Sequence, residues 1–588
     1  KDAVIVNRSR IVSETIGNAA ANSGDSGDIN IAAGNITIAG DGRNLTSSIA
    51  TFTSSQGNAG KLTLNANDIN ITKGGSVLVS TGSTGNTGDL TIQARNSVNI
   101  TENGNLALSA LSSGSTGNLR IETGTLKIEN TNGIGAFSSG SGSAGSIFIQ
   151  AKNAFEVING QIITGALLES KSRSDITIDT KRFNLTNSAA LVTNTFGAAD
   201  AGNIVIRASE SASMSGVSPS NSLYANTEPG GNVSINANTI DITNGGQILT
   251  STSSSGQAGN ITLNAKNVNL AGIDSTYAQR LNEFGRPIVT SISEASGLYA
   301  NTTGESSGKG GTIRVNAERL NIRDRASISV DSRGSGVAGD INVNSQSARL
   351  SGANIVAETA SQDGGNINIE NTDLLLLRRG SLISATAAEG GNGGNIKINA
   401  QAIVAVPKEN SRIRANAVRG NGGNININTL GIFGIKTSPF PLEESDITAS
   451  SQLGVQGQTS ITQPDVAPTQ GIIELPNEVV DASNQIGQTC PRGSNAKPLG
   501  EFVVTGRGSL PPNPLQPLAG TTTPTPLATL DGKFANKPFN IPTSTPPEAI
   551  VEAQGWVKTA DGQVILTASA PEATPSASLT TAICSVSK

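Results

Sequence analysis

One unit of about 28 residues recurs along most of the chain, and this repeat restricts the possible folds more than any other feature. Residues 231–258, GNVSINANTIDITNGGQILTSTSSSGQA, are followed at once by GNITLNAKNVNLAG, which begins the unit again. Each unit holds three short runs in which apolar and polar residues alternate, separated by Gly, Asn and Ser. Such alternation predicts strands with one buried face, and the separating residues favour turns. One unit therefore predicts three strands joined by three corners.

The spacing of the units predicts how these strands pair. Most copies open 28 or 29 residues apart. A helical repeat would place apolar residues at i, i+3, i+4 and i+7, whereas GDLTIQARNSVNI at 88–100 keeps a period of two. Three strands cannot enclose a core alone, but stacked copies bury a continuous aliphatic column. We therefore predict an all-β fold, a single-stranded parallel β-helix of about 15 coils. Its coils open at Gly27, Gly60, Gly88, Gly117, Gly145, Ser174, Gly202, Gly231, Gly259, Gly311, Gly339, Gly365, Gly394, Gly423 and Gly457.

The composition excludes several classes of function. The 588 residues include no histidine, which rules out a Ser/His/Asp triad, His-ligated zinc and a histidine pH switch. The formal net charge is −5 and the positive charges are scattered, so we expect no nucleic-acid partner. We also expect no cofactor, no metal site and no catalytic residues.

The residue after the opening glycine is Asn or Asp in most copies. Carboxylates at short, regular spacing would suit calcium, and GGNGGNIKI at 390–398 superficially resembles a calcium-binding nonapeptide. Asn dominates, however, at one position in each coil. We therefore favour a column of stacked side chains that hydrogen-bond from coil to coil.

One interval, between Gly259 and Gly311, spans 52 residues and so carries an insertion near 272–296. The insertion concentrates aromatic and basic side chains that are otherwise sparse. Loops on a rigid scaffold often carry recognition, so a binding role is one hypothesis. The other is that the insertion simply covers an exposed strand. The candidate binding residues are Tyr277, Arg280, Phe284 and Arg286.

The composition divides the chain into three parts. Residues 1–26 fit an incomplete first coil, and 27–462 carry the repeats. In residues 463–588, which contain 17 of the 23 prolines, Pro-rich stretches cannot continue a sheet and alternate with short strand-like pieces. Residues 552–568 predict a hairpin there. Because residue 1 is not Met and the repeat begins at once, we expect this chain to be a portion of a longer protein.

The two cysteines, Cys490 and Cys584, both lie in this C-terminal module. They could form a disulfide or remain as two thiols. We favour the disulfide because we expect the protein to be exported.

Several motifs resemble one known family. The G-N-I-x-I coils, a following cysteine, FVVTGRGSLPPNP at 502–514, EAQGW at 552–556 and the final cysteine are similar to cyanobacterial exoproteins related to filamentous haemagglutinins. The resemblance covers most of the chain, and the 502–514 segment is its most specific part. It implies a right-handed β-helix that leaves the cell by two-partner secretion. In that route an outer-membrane transporter recognises an N-terminal secretion domain, which this sequence lacks.

These observations leave three functional hypotheses. The first is a secreted or cell-surface rod, structural or adhesive, about 70 Å long at ~4.8 Å per coil. Such a rod would contact carbohydrate or other cell surfaces. The second is self-assembly into a surface layer. The third is a polysaccharide lyase or glycoside hydrolase, which needs paired carboxylates. Asp175 and Asp179 come nearest to such a pair, but adjacent coils offer no matching acids.

Overall fold

The computed structural model describes residues 1–464 except 7, 18–23, 42–45, 167–172, 188, 196–200, 217–221, 227–229, 251–254, 285–292 and 305, together with 555–558 and 564–567. The described residues are nearly all β, and their parallel strands stack as a solenoid, which confirms the predicted fold class. Each predicted opening residue lies one or two positions before the first residue of a strand in one continuous ladder. The chain divides into two compact units, Lys1–Leu475 and Pro476–Lys588.

Long strands form the first and second faces of each coil. Each pairs in parallel with its equivalents one coil before and one coil after. Two of them also continue into the third face. The strands of these two faces are Ala3–Val6, Ile29–Ala32, Asn35–Ala39, Leu62–Thr72, Leu90–Thr101, Leu119–Ser138, Ile147–Ala166, Ile176–Thr186, Ile204–Ser215, Val233–Thr243, Ile261–Ala271, Thr312–Arg323, Asp340–Ser351, Ile367–Arg378, Ile396–Ala405, Ile425–Phe433 and Thr459–Thr462.

Shorter strands form the third face, and they too pair in parallel from coil to coil. Many of them have only three residues. These strands are Arg10–Thr15, Ser48–Thr53, Ser76–Thr81, Asn105–Ala110, Ala190–Thr195, Ser222–Asn226, Gln247–Leu249, Gly297–Tyr299, Ser327–Ser329, Asn354–Val356, Leu382–Ser384, Arg412–Arg414, Lys436–Thr437 and Asp446–Thr448. One α-helix, α1 (Tyr277–Phe284), and one 3-10 turn (Pro407–Glu409) complete the elements of the described coils.

The first two predicted strands of a coil usually form one bent strand rather than two separate ones. In the strand Leu62–Thr72 the buried residues alternate up to Ala66, and the alternation then resumes at Ile69. The pairing register shifts at this point between Ala66 and Asp68. A small side chain suits the corner because the wall turns inward there. The corner is therefore a bend with a bulge, not a break in the strand.

The core is a column of aliphatic side chains that runs through all the described coils. Leu62, Leu64, Ile69 and Ile71 are fully buried in one coil, and equivalent residues are buried in the coils on either side. Burial of each such side chain stabilises the fold by about 1.5–3 kcal/mol before the entropy of ordering is subtracted. The column fixes the register because a slip of one residue would turn these side chains outward.

Buried threonines tie the third face to the opening glycine of the next coil. Thr193 Oγ1 donates to the carbonyl oxygen of Gly202 at 2.7 Å, and Thr250 does the same to Gly259 at 2.7 Å. Both threonine side chains are fully buried. These bonds satisfy polar groups inside the core and hold the third corner at a fixed angle.

In the second unit the described residues form one antiparallel pair, Gly555–Lys558 with Val564–Thr567. This pairing confirms the predicted hairpin, whose turn lies outside the described residues. In the described part of the chain, no helix is long and apolar enough to cross a membrane.

Candidate functional site

A column of side chains runs along the corner that opens each coil, and we call it the corner ladder. Asn203 Oδ1 accepts hydrogen bonds from the backbone N–H of Asn232 at 3.0 Å and from its Nδ2 at 3.1 Å. Asn232 Oδ1 accepts the same two bonds from Asn260, both at 2.9 Å. The predicted side-chain column is confirmed. Among the described residues no group of three or more His, Cys, Asp or Glu is placed to hold a metal ion.

A second column runs beside the corner ladder in the C-terminal coils. Asp363 Oδ1 accepts from the backbone N–H of Asn392 at 2.8 Å, and Asn392 Oδ1 accepts from that of Asn421 at 2.8 Å. Between the two columns lies a groove of about 560 Å³ with glycines along its floor. A Cβ added to Gly394 would lie 2.0 Å from the carbonyl oxygen of Gly365 one coil earlier. A Cβ at Gly394 would therefore require the two coils to move apart.

The insertion is held to the coils at its base. Ile273 and Ala295 form an antiparallel bridge. The side-chain Nε2 of Gln247 donates to the carbonyl oxygens of Ser293 at 2.6 Å and of Ala295 at 2.9 Å. The buried Tyr299 hydroxyl contacts Ser293 Oγ at 2.8 Å. The two ends of the insertion are therefore fixed although it departs from the coil.

The predicted binding residues lie at or beyond helix α1 of the insertion. Asp274 is buried, and its Oδ1 accepts from the backbone N–H of Thr276 at 2.8 Å, just before the helix begins at Tyr277. The side chain of Tyr277 is partly exposed. Arg280 and Phe284 belong to the backbone of α1. Arg286 lies outside the described residues, so the binding role of the four remains a prediction.

A second groove, of about 570 Å³, opens on the outer side of the second face, next to the start of the insertion. Asp241, Asn269 and Asn321 form a hydrogen-bonded column on this face. Asn269 Nδ2 donates to Asp241 Oδ1 at 2.7 Å, and Asn321 Nδ2 donates to Asn269 Oδ1 at 3.0 Å. The small side chains of Ala271 and Ser351 leave space beside the column.

Three successive coils each place one arginine at this groove, which we call the arginine groove: Arg323, Arg349 and Arg379. Arg323 is paired with Asp324 beside it. Arg349 and Arg379 are exposed, and their guanidinium groups form no ion pair or hydrogen bond within the described part of the chain. Both guanidinium groups therefore keep N–H donors for a ligand, and the charge of Arg379 also acts on Glu409.

Neighbouring arginines are engaged in the protein itself. Arg378 makes a two-pronged contact with Glu409, in which both nitrogen–oxygen distances are 2.8 Å. This arginine, with the backbone N–H of Arg379, lowers the pKa of Glu409 to about 2. Arg325 pairs with Glu294 at the end of the insertion. These pairs distinguish structural arginines from the two unpaired ones.

Two acids that the sequence analysis did not select lie on adjacent coils at the third face. Asp331 Oδ1 accepts from the backbone N–H of Glu358 at 3.1 Å, and Glu358 accepts from the hydroxyl of Ser384. Burial, reinforced by the charge of Glu358, raises the pKa of Asp331 to about 6. Burial also raises the pKa of Glu358, although the Ser384 hydroxyl opposes the shift. Neither acid lines the arginine groove or the glycine-floored groove.

Asp175 and Asp179, which come nearest to the carboxylate pair of a hydrolase, each contact a residue on the next coil. Asp175 Oδ1 accepts from the backbone N–H of Asn203 at 2.7 Å, as a member of the corner ladder. Asp179 Oδ1 lies 3.2 Å from the guanidinium of Arg207 on the next coil. Both carboxylates are thus satisfied within the protein.

The predicted disulfide partners, Cys490 and Cys584, lie outside the described residues, so their pairing remains a prediction. Comparison with known protein families, curated proteins and solved structures found no match to this chain.

Proposed function

We propose that this chain is a non-catalytic rod of the filamentous haemagglutinin type, structural and adhesive, that is secreted or displayed on the outer cell surface. The observation that supports this most is the continuous stacking of coils with side-chain columns on their outer faces. Such columns repeat a contact at every coil, ~4.8 Å apart. Weak contacts to a repetitive surface then add through multivalency.

Export is part of this proposal. The resemblance of residues 502–514 and 552–556 to cyanobacterial exoproteins supports two-partner secretion. The partner would then be an outer-membrane transporter that recognises a secretion domain. Carbohydrate or another cell surface would be the partner after export.

Self-assembly into a surface layer is the second candidate, and exposed apolar side chains favour it. Several large apolar residues in the last described coils are 60–75% exposed: Leu430, Phe433, Leu453 and Val455 near the coil corners, and Phe440 in the loop before the last third-face strand. Large exposed apolar side chains that form a patch often mark a contact with another molecule.

Cell binding and sedimentation of the purified chain separate the two candidates. Adhesion predicts saturable binding to cells or to glycan arrays by a chain that stays at constant mass. Self-assembly predicts mass that grows with protein concentration and no saturable ligand. The proposal of a non-catalytic rod would be wrong if the chain degraded an acidic polysaccharide and Asp175→Ala abolished this degradation.

A further inference from the structure

We propose that the arginine groove binds a linear polysaccharide whose sugars carry carboxylates, a polyuronate, laid across successive coils. This inference rests on the proposed adhesive function and names the chemistry of its ligand. It starts from Arg349 and Arg379, which are exposed at the groove and unpaired within the described part of the chain. A guanidinium presents a planar set of donors that matches a carboxylate in two-pronged geometry.

The placement of the arginines suits a polymer rather than a small anion. Arg323, Arg349 and Arg379 come from three successive coils, and neighbouring coils are ~4.8 Å apart. The cations are therefore spread along the stacking direction instead of converging on one point. A chain of acidic sugars repeats its carboxylates along a line, so one polymer can meet more than one arginine.

The rest of the lining suits sugar hydroxyls. Asp241, Asn269 and Asn321 present carboxylate and amide groups in one column. In the register of the second face, the coil after Asn321 places Arg349 at the same position. The amide column thus leads directly to an unpaired guanidinium, and a sugar could meet hydroxyl-binding groups and a carboxylate-binding group side by side.

The groove favours an acidic glycan over a neutral one. None of the described residues that line it is aromatic, so it lacks the stacking surface on which neutral sugars depend. Charge-assisted hydrogen bonds are stronger than neutral ones and supply the missing affinity. Such binding should weaken as salt rises because the arginines are exposed.

Isothermal titration of the whole chain with polygalacturonate tests the proposal. We expect the double variant Arg349→Gln/Arg379→Gln to weaken binding at least tenfold. The matched control Arg95→Gln/Arg314→Gln removes the same charge from two exposed arginines outside the groove, and it should change the dissociation constant less than twofold. Methyl-esterified polygalacturonate, which lacks the charge but keeps the hydroxyls, should bind the unaltered chain at least tenfold more weakly.

Three results would overturn the proposal: equal binding of the esterified polymer, equal loss in the control variant, or tighter binding of dextran sulfate of the same length. The last would mean that charge density is recognised instead of carboxylates. Circular dichroism of each variant checks the fold. Saturable cell binding that excess polygalacturonate does not inhibit would reject the ligand but keep the adhesive function. Polygalacturonate binding by a chain that adheres to no cell would reject the adhesive function alone.

Discussion

Asn395 Oδ1 accepts two hydrogen bonds from Asn424 one coil later, from the backbone N–H at 3.3 Å and from Nδ2 at 3.2 Å. The same residue donates its own N–H and Nδ2 to Asn366 one coil earlier. Each ladder residue therefore links three coils. The link includes the backbone, so it helps to set the distance between coils as well as their alignment.

Removing one ladder side chain should weaken the stack locally. Asn395→Ala removes the acceptor for Asn424, and we expect a loss of about 0.5–1.5 kcal/mol in unfolding free energy. Urea unfolding measures the loss, and hydrogen exchange at the Asn424 amide should become faster. Asn395→Asp keeps the acceptor and should lose less. The exposed Asn344 forms no side-chain hydrogen bond in the described part of the chain, so Asn344→Ala is the control. Equal effects of the two alanine variants would contradict a role for the ladder.

A methyl group at the opening glycine should force two coils apart. The Cβ of Gly394→Ala would lie 2.0 Å from the carbonyl oxygen of Gly365, and a backbone neighbour cannot rotate away. We expect a destabilisation of about 1–3 kcal/mol, as for an overpacked core. Gly304 has no atom within 4 Å of an added Cβ, so Gly304→Ala is the control in the same urea titration. If both variants unfold at the same urea concentration, the nearby carbonyl oxygen of Gly365 does not exclude a side chain at position 394.

Asp331 should make the stability depend on pH. Its pKa is about 6 in the folded protein and about 3.9 in an unfolded chain, so the unfolded chain loses this proton first as pH rises. Because of Asp331, the free energy of unfolding falls as pH rises from about 4 to about 6. It stays at the lower value above pH 6. Asp331→Asn should raise the urea midpoint at pH 7.5 and change it little at pH 4. Asn keeps an oxygen that can accept the Glu358 N–H. The exposed Asp373→Asn is the control, and a gain of the same size at both pH values would refute the charge effect.

Shortening the insertion should separate binding from folding. Replacing residues 275–292 by a short Gly/Ser linker keeps Ile273, Ser293 and Ala295, which anchor the insertion to the coils. We expect an unchanged urea midpoint and at least a tenfold loss of saturable cell binding. Cell binding that survives this change at full strength would reject Tyr277, Arg280, Phe284 and Arg286 as the contact.

The sequence repeat of about 28 residues predicted the coils because the backbone geometry of one coil sets the length of the repeat. Every copy has the same geometry. Apolar residues two and four positions after each opening glycine must face the core, so Val233 and Ile235 identified a strand without any knowledge of its neighbours. The corner ladder was also predictable because Asn and Asp recur at one position. Both features are the same in each coil, and a single sequence reveals them.

The grooves and the two half-buried acids could not be predicted in this way because their residues do not recur at one position. Arg323, Arg349 and Arg379 follow their opening glycines by 12, 10 and 14 residues. Asp331 and Glu358 follow theirs by 20 and 19, because the coil that begins at Gly339 is shorter than most. Their proximity comes from bulges and corners of unequal length, which counting along the chain does not register. The sequence analysis predicts a loop where helix α1 lies, although Asp274 is a residue type that often precedes a helix.

In the described strands, the ladder hydrogen bonds of a coil join it to the coils directly above and below it. Gaining or losing one whole copy would therefore leave every other junction intact and change the reach by a step of ~4.8 Å. Tandem duplication can adjust the length of such a protein without redesigning its interior, and corners such as the one at Gly272 can acquire new segments independently. Reach and recognition can thus evolve separately on the same scaffold.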